Sequence, residues 1–393
     1  LEMTERVRSL IPLDLSRLWS GTFHSIANRI LRQHAEYLGY TPAFTIMDSD
    51  DRKSMIKSVV KSLKLDEKST RFPKPEVLSS LFSLADNEGA NIQETLENAY
   101  PYLSNHLDAI LEVHDQYVAR KQETNSMDFD DLLLETYFLL NNNDAVREKY
   151  AGRYHHILID EFQDTNPVQL EIIKLIVDTD NDHDKSYWIA GDDWQSIYSF
   201  AGASVNNILN FQSTFSSSTL FILNINYRST PQILKACQNL ISHNVRKIEK
   251  TLKTDNPGGD EVIVLESSSE EGEALCLVNE MNELVGQRGY QYKDIAVLYR
   301  ANFQSRVVEE TFAQMKIPYY IENGLNFYQR SEVRYLLDYL RLINDPDSEE
   351  GDEALKSILN VPNRYISRKF VQELAEFSNK TNVHLYEGLK SMP

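Results

Sequence analysis

Apolar residues recur along this chain with two different periods, and the switch between them divides it. Over residues 26–38 they fall at helical spacing up to Gly39, after which Thr41-Pro42 opens a short extended passage. One apolar stripe on a 3.6-residue period predicts an amphipathic helix. From Asp48 to about Met127 the pattern stays helical and locally charged, broken at Phe72-Pro73-Lys74-Pro75 and Tyr100-Pro101. No strand-like alternation occurs there, so an all-helical insertion is expected. Asp128-Phe129-Asp130-Asp131-Leu132-Leu133-Leu134 opens another helix, its acids in the first turn where the macrodipole favours them. Short apolar runs follow at 157–159 and 187–190, separated by a helical pattern over 167–177, and a third lies at 220–223. Beyond the loop Asp255-Asn256-Pro257-Gly258-Gly259, runs at 261–265 and 294–299 flank a helix at 271–287. From Ser331 the chain reads as helical, interrupted by an acidic loop from Asp345 to Asp352. Strands alternating with helices predict a doubly wound α/β fold.

Length and composition narrow the class. A chain of 393 residues exceeds one hydrophobic core, so two or more domains are expected. No apolar stretch reaches the length of a membrane span and no signal peptide is visible. Cys237 and Cys276 stand far apart without metal-ligand spacing, which fits a reducing compartment, by default the cytoplasm, and neither a disulfide framework nor a zinc site. The net charge of −19 argues against indiscriminate nucleic-acid binding through a basic surface. A local track stays possible at 51–75, where Arg52, Lys53, Lys57, Lys61, Lys64, Lys68, Arg71 and Lys74 face only Asp51, Asp66 and Glu67. A solvated helix face explains such a run more often. The chain opens on Leu1 inside a helix-like pattern and stops at Pro393 just after another, and so reads as an internal piece of something longer.

The chemistry centres on Ile157-Leu158-Ile159-Asp160-Glu161-Phe162-Gln163-Asp164-Thr165-Asn166. An apolar run ending in two acids is how a parallel strand delivers carboxylates to the carboxyl edge of a sheet, where ligands bind in open α/β folds. One carboxylate can hold magnesium while its neighbour orients a water toward a γ-phosphate. A bare Asp-Glu pair is more often an acidic turn, so its company decides. A second strand end gives Gly191-Asp192-Asp193-Trp194-Gln195-Ser196-Ile197-Tyr198, where a glutamine could bond both water and phosphate. Asn226-Tyr227-Arg228-Ser229 adds an arginine that could face a transferring phosphoryl group and a tyrosine that could stack on a base.

Together, and in this order, the pieces resemble the superfamily 1A DNA helicases of the UvrD/Rep/PcrA type. Thr22-Phe23-His24-Ser25 is similar to that family's single-strand-binding motif Ib, and Asp128 to Leu132 to its next DNA-contacting helix. Asp160 to Asn166 resembles motif II, Gly191 to Gly202 motif III, and Asn226 to Ser229 motif IV. Ala296-Val297-Leu298-Tyr299-Arg300, Gln304-Ser305-Arg306, Leu325-Asn326-Phe327-Tyr328 and Tyr339-Leu340-Arg341-Leu342 resemble the family's second motor domain. The resemblance implies that Asp160 ligands magnesium, Glu161 activates the water, Gln195 senses the γ-phosphate, Arg228 contacts it and Tyr227 stacks on adenine. Thr22, Phe23 and His24 would meet the DNA, with Phe129, Tyr198 and Phe200 as stacking platforms. There are departures. The family usually has a tryptophan and then an arginine where this chain has Phe200 and Ala201, and Trp194 stands where an acid is commoner. Both are closer to the helicase IV branch. No glycine is followed by lysine, so the Gly-Lys-Thr/Ser phosphate loop is missing from the chain, as are motifs V and VI with the second arginine.

The resemblance therefore implies an α/β P-loop NTPase of RecA-like parallel-sheet motor domains with helical insertions. Motor domain 1A would comprise 1–47 and 128–225 without its N-terminal part, and insertion 1B 48–127. Motor domain 2A would begin over 226–345 and insertion 2B over 346–393. The implied function is ATP-dependent 3′→5′ DNA unwinding with ATP and Mg²⁺, on single-stranded DNA and single-strand/duplex junctions, with no membrane. The chain alone is expected not to sustain hydrolysis. Two alternatives stay open: the helicase subunit of a recombination nuclease, and a DNA-binding module without ATPase activity.

Overall fold

Thr22 starts the first helix: its hydroxyl oxygen accepts the Ser25 N–H, and α1 runs Phe23–His34. A 3₁₀ turn Ala35–Leu38 closes on Gly39 at φ 79°, a left-handed position that glycine takes without strain. The computed structural model describes residues 9–10, 18–65, 72–177, 185–199, 202–322, 331–362, 364–381 and 383–392. Phe200, Ala201, Lys68, Arg71, the opening Leu1–Val7 pattern and the run Leu325-Asn326-Phe327-Tyr328 lie outside the described residues. The chain forms two compact units, Leu1–Val262 and Ile263–Pro393.

In the first unit the helical stretch leaves and returns through one ladder. Strand β1 (Thr45–Ile46) pairs in parallel with β2 (Ser126–Met127), Thr45 opposite Ser126 and Ile46 opposite Met127. Between them lie α2 (Ser49–Ser62, capped by Asp48), α3 (Pro75–Glu88), α4 (Ile92–Ala99, capped by Asn91) and α5 (Leu107–Glu123). Two of the prolines that break the pattern begin elements, as a residue without an N–H can: Pro75 opens α3 and Pro101 a 3₁₀ turn. Ile56, Leu78, Leu81, Phe82, Leu96, Ile110 and Val113 form a core of their own.

After β2 come α6 (Phe129–Asn142), α7 (Asp144–Arg153), β3 (His156–Ile159), α8 (Pro167–Val177) and β4 (Ser186–Ile189). Strands β3 and β4 pair in parallel from His156 opposite Ser186 to Ile159 opposite Ile189. Alternate residues point to opposite faces, so Ile157 and Ile159 pack inward while Leu158 and Trp188 stand 76% and 59% exposed. A second core joins α1, α6 and α8 through Ile30, Leu31, Leu132, Leu133, Ile172 and Ile176. The apolar runs at 220–223, 261–265 and 294–299 belong to no ladder among the described residues; there the only further bridge joins Ile225 to Lys253. Apolar β-branched sequence supplies propensity, but a strand exists only where a neighbour takes its N–H and C=O groups. The helix α9, Pro231–Ile241, completes the unit.

The second unit is helical where described. Helix α10 (Glu270–Gln287) packs on α11 (Ser305–Gln314) around Val278, Met281, Phe312 and Ile317. Then come α12 (Ser331–Asn344), α13 (Glu349–Ile358), α14 (Arg368–Thr381) and α15 (Leu385–Ser391), with Leu355, Leu359, Leu374 and Leu385 at their centre. The acidic loop is shorter than its sequence suggests, because Glu349, Glu350 and Asp352 form the first turn of α13 behind the cap Ser348. No helix among the described residues is long and apolar enough to cross a membrane.

A buried charge cluster ties the helical stretch to α6. Arg52, only 7% exposed, pairs with Asp130, with Asp128 at 3.6 Å and with Asp86 at 3.9 Å. Lys121 holds Asp131 at 2.6 Å and Asp128 at 3.3 Å, and the Tyr117 hydroxyl donates to Asp128 at 2.6 Å. Burial pushes the Asp86 carboxyl up to about 8, against the pull of Lys121. A carboxyl pKa raised by folding contributes stability that is full below the unfolded value near 4 and lost as pH rises through the folded one. Asp86→Asn is therefore expected to raise the urea midpoint of unfolding more at pH 8.5 than at pH 5.5. The gain at the higher pH should be about 1–3 kcal/mol. Equal shifts at both pH values would show that Asp86 stays ionised on folding.

Candidate functional site

At the carboxyl end of β3 the backbone turns on Glu161, which holds φ 50° and ψ 42°. For a residue with a β-carbon this left-handed conformation costs about 1–2 kcal/mol, so the surroundings must impose it. They do. The Phe162 N–H donates to the Ala190 carbonyl at 2.9 Å, the Asp164 N–H to the Glu161 carbonyl at 2.9 Å, and the Phe162 ring is fully buried. Gln163, 1% exposed, donates from Nε2 to the Glu161 carboxylate at 2.7 Å and accepts the Asp192 N–H at 2.9 Å. One amide thus joins the ends of both strands. The approach needs glycine at 191: a β-carbon there would lie 2.7 Å from Gln163 Oε1 and 2.9 Å from the Ile208 side chain.

Asp160 and Glu161 are exposed at this edge, and Asp160 Oδ1 accepts the Glu161 N–H at 3.1 Å. Asp164 is raised by burial and by the neighbouring Glu161 charge. At the end of β4, Asp192 accepts the Trp194 N–H at 3.0 Å and Gln195 Nε2 at 2.8 Å, which aims the Gln195 amide. Lys250 reaches Asp192 at 2.5 Å and Asp193 at 2.7 Å, and the Ile248 N–H donates to Asp193 at 2.7 Å. Burial alone would push Asp192 up; the hydrogen bonds from Lys250, Gln195 and Trp194 overcome it and hold the carboxyl low.

Asn226 organises the arginine loop. Its side-chain oxygen accepts the N–H groups of Arg228 at 2.9 Å and Ser229 at 2.7 Å, while its own N–H donates to the Lys253 carbonyl at 2.7 Å. Tyr227 is 79% exposed and Arg228 is exposed beside it. Among the described residues no hydrogen bond or ion pair joins Arg228 to Asp160 or Glu161.

A groove of about 760 Å³ opens in the same unit, lined by His24, Phe129 and Tyr198 together with Arg52, Lys53, Asn87, Asp130 and Asn166. The His24 and Phe129 rings meet edge to face, centroids 6.1 Å apart, and Phe129 and Tyr198 are half exposed. Burial outweighs the pull of Asp130 and lowers the His24 pKa, leaving the ring neutral near pH 7. Thr22 is exposed with its hydroxyl engaged as helix cap, whereas Phe23 packs against two apolar clusters. Of the basic run, Arg52 is consumed inside the charge cluster; Lys57, Lys61 and Lys64 are exposed and carry no ion pair among the described residues.

Sequence reasoning passed over Gln163, Asp192, Lys250 and Asn87. Gln163 and Asp192 stood inside the quoted runs, and an amide flanked by acids at a strand end was a usable sign. Lys250 had none, since its partners lie 58 and 57 residues away.

Comparison with known proteins identifies the family. Residues 1–216 match the UvrD/REP helicase N-terminal domain and residues 221–393 the UvrD-like helicase C-terminal domain. The ATP-dependent DNA helicase PcrA of Staphylococcus epidermidis is 36% identical over 389 residues, covering 99% of this chain and 51% of that protein. The protein of the same name from Staphylococcus aureus is 34% identical over the same length and shares. The chain thus spans about half the length of the curated relatives it matches. The family implies a RecA-like P-loop NTPase fold, with which the helix-rich units and small parallel sheets agree. With both domain matches running through nearly its whole length, the chain belongs to the UvrD/REP helicase family.

Proposed function

We propose that this chain is part of an ATP-driven 3′→5′ DNA helicase that translocates on single-stranded DNA. What supports the reading most is that β3 and β4 end in register, so Asp160-Glu161 and Asp192-Gln195 share one sheet edge in the unit that also carries the aromatic groove. The donor set fits magnesium. Among the described residues no cluster of three acidic, histidine or cysteine side chains forms a protein cage. Magnesium commonly binds through one or two carboxylates plus substrate phosphates, and Asp160 is an exposed carboxylate at that edge. When bound, the ion would neutralise charge on the β- and γ-phosphates.

The chain's own residues carry the rest. Glu161 accepts a proton from the attacking water, and Gln163 keeps its carboxylate turned to the sheet edge. Gln195, held by Asp192, bonds the water and the γ-phosphate. Arg228 approaches the phosphates from its Asn226-braced loop, and Tyr227 stacks on the adenine. Phe129 and Tyr198 offer their faces to successive bases, while Thr22 and His24 contact the backbone of the strand. Residues 1–47 and 128–225 act as one motor domain, 226–345 begin the second, and 48–127 and 346–393 are the helical insertions.

In the whole protein, Glu161→Gln is expected to abolish ATP turnover while leaving ATP affinity close to wild type. Steady-state hydrolysis and fluorescent-nucleotide titration check this, and near-normal turnover would refute the assigned base. Phe129→Ala and Tyr198→Ala should each weaken binding to oligo(dT) by about 1–3 kcal/mol, read by fluorescence anisotropy. Unchanged affinity in both would remove the groove from the DNA path. Replacing Lys57, Lys61 and Lys64 with Ala tests the basic face of α2 and the turn that follows it. If the three meet phosphates, the slope of log affinity against log salt should fall by about 0.7 for each lysine replaced. An unaltered slope would return that face to plain solvation.

A further inference from the structure

Asn87, near the end of α3, joins three segments that the proposed function keeps separate. Its Nδ2 donates to Asp130 at 2.9 Å and to the Ser83 carbonyl at 2.8 Å, and its Oδ1 accepts from Asn166 Nδ2 at 2.6 Å. Asp130 adjoins Phe129 in the groove. Asn166 ends the turn that begins at Asp160, is 5% exposed, and starts α8 by accepting the Gln169 N–H at 2.8 Å. The third segment passes at Gly202, held at φ +83°, where a β-carbon would come within 2.9 Å of the Asn87 β-carbon. From there the chain returns to the same turn: the Ser204 N–H and Asn207 Nδ2 both donate to the Thr165 carbonyl, at 3.1 and 3.0 Å.

We propose that Asn87 is a positioning residue through which a strand in the groove sets the geometry of the Asp160–Asn166 turn. The proposal rests on the function given above. A carboxamide presents one donor and one acceptor side at fixed spacing, so Asp130 and Asn166 cannot move independently while both bonds stand. A base settling against Phe129 shifts the start of α6. Asn87 passes that shift to Asn166, and the turn carrying Glu161 follows. Two discrete arrangements of such a packed, bonded path, biased by ligands at either end, are what coupling requires. Asn87 touches neither nucleotide nor water in this scheme, so it should govern the response to DNA and spare basal turnover.

The test uses the whole protein. ATP turnover is measured without DNA and at saturating oligo(dT), and oligo(dT) affinity by anisotropy, for wild type, Asn87→Leu and Asn87→Ser. Leucine keeps the volume and removes both bonds; serine is too short to reach both partners. The expected result is DNA-stimulated kcat at saturating oligo(dT) down about tenfold or more, with basal kcat, measured with the groove empty, within about threefold; because Asn87 lines the groove, the oligo(dT) Kd serves only to set saturation. Full stimulation in a folded variant would overturn the proposal. So would a loss of stimulation matched by equal loss of basal turnover, which marks a merely structural role. Should Asn87→Leu fail to fold by circular dichroism, Asn87→Ser decides. A wild type without DNA-stimulated turnover would sink the functional reading, and this proposal with it.

Discussion

The register of β3 against β4 is the constraint on which the site depends. Ile159 stands opposite Ile189, the Ala190 N–H donates to the Ile159 carbonyl, and the Phe162 N–H returns to the Ala190 carbonyl. Those bonds end both strands at one level, so Asp160-Glu161 and Gly191-Asp192 emerge side by side. A slip of β3 by one residue would turn Leu158 into the core and carry the acids to the wrong face. Glu161 then takes a backbone conformation it would avoid alone, and Gln163 fixes it by bonding its carboxylate and the neighbouring strand end together. Strain and buried amide work as a pair. The turn exposes two carboxylates, and the amide limits where one of them can point.

Much of this was legible beforehand, for identifiable reasons. Helices were readable where their determinants are local: the apolar stripe that ends at Gly39, the breaks at Phe72–Pro75 and Tyr100-Pro101, and the acids that open α6 behind Asp128. The two paired strands showed as apolar runs ending in acids. The runs at 220–223, 261–265 and 294–299, which join no ladder among the described residues, look the same in sequence, because composition records what a segment could bury and not which neighbour takes its hydrogen bonds. Phe23 shows the same limit of a sequence reading. The motif resemblance implies that it meets the DNA, and in the structure its half-buried ring also packs against two apolar clusters.

What sequence could not reveal is mostly electrostatic and long-range. Arg52 reads as one cation in a basic run, but the fold encloses it with Asp86, Asp128 and Asp130, contributed by α3 and by the residues that start α6. Enclosing an ion removes its hydration, and only close, well-bonded partners offset that. The cluster is therefore better understood as a device for orientation than as a source of stability. It sets the helical stretch against the first turn of α6, the turn that also presents Phe129 to the groove. Lys250 does similar work at the other end of the unit. By bridging Asp192 and Asp193 it brings the segment after α9, which is bonded to the Asn226 loop, up to the strand end that holds Gln195.

Charge also constrains how such a groove could hold a polyanion. Its lining includes Asp48, Glu76, Asp128, Asp130 and Asp164, against Arg52, which is already neutralised, and Lys53, which pairs with Asp50 at 3.2 Å. Phosphates gain little there, in keeping with a chain of net charge −19. Bases gain more, because Phe129 and Tyr198 present π-faces. Stacking is tolerant of sequence and weakly dependent on salt, whereas phosphate contacts are steeply dependent on it. On the proposed reading, the strand would enter with its bases turned toward Phe129 and Tyr198 and its backbone toward Thr22 and His24. That orientation suits translocation. Each step would then exchange one stacked base for the next over platforms that do not discriminate among them.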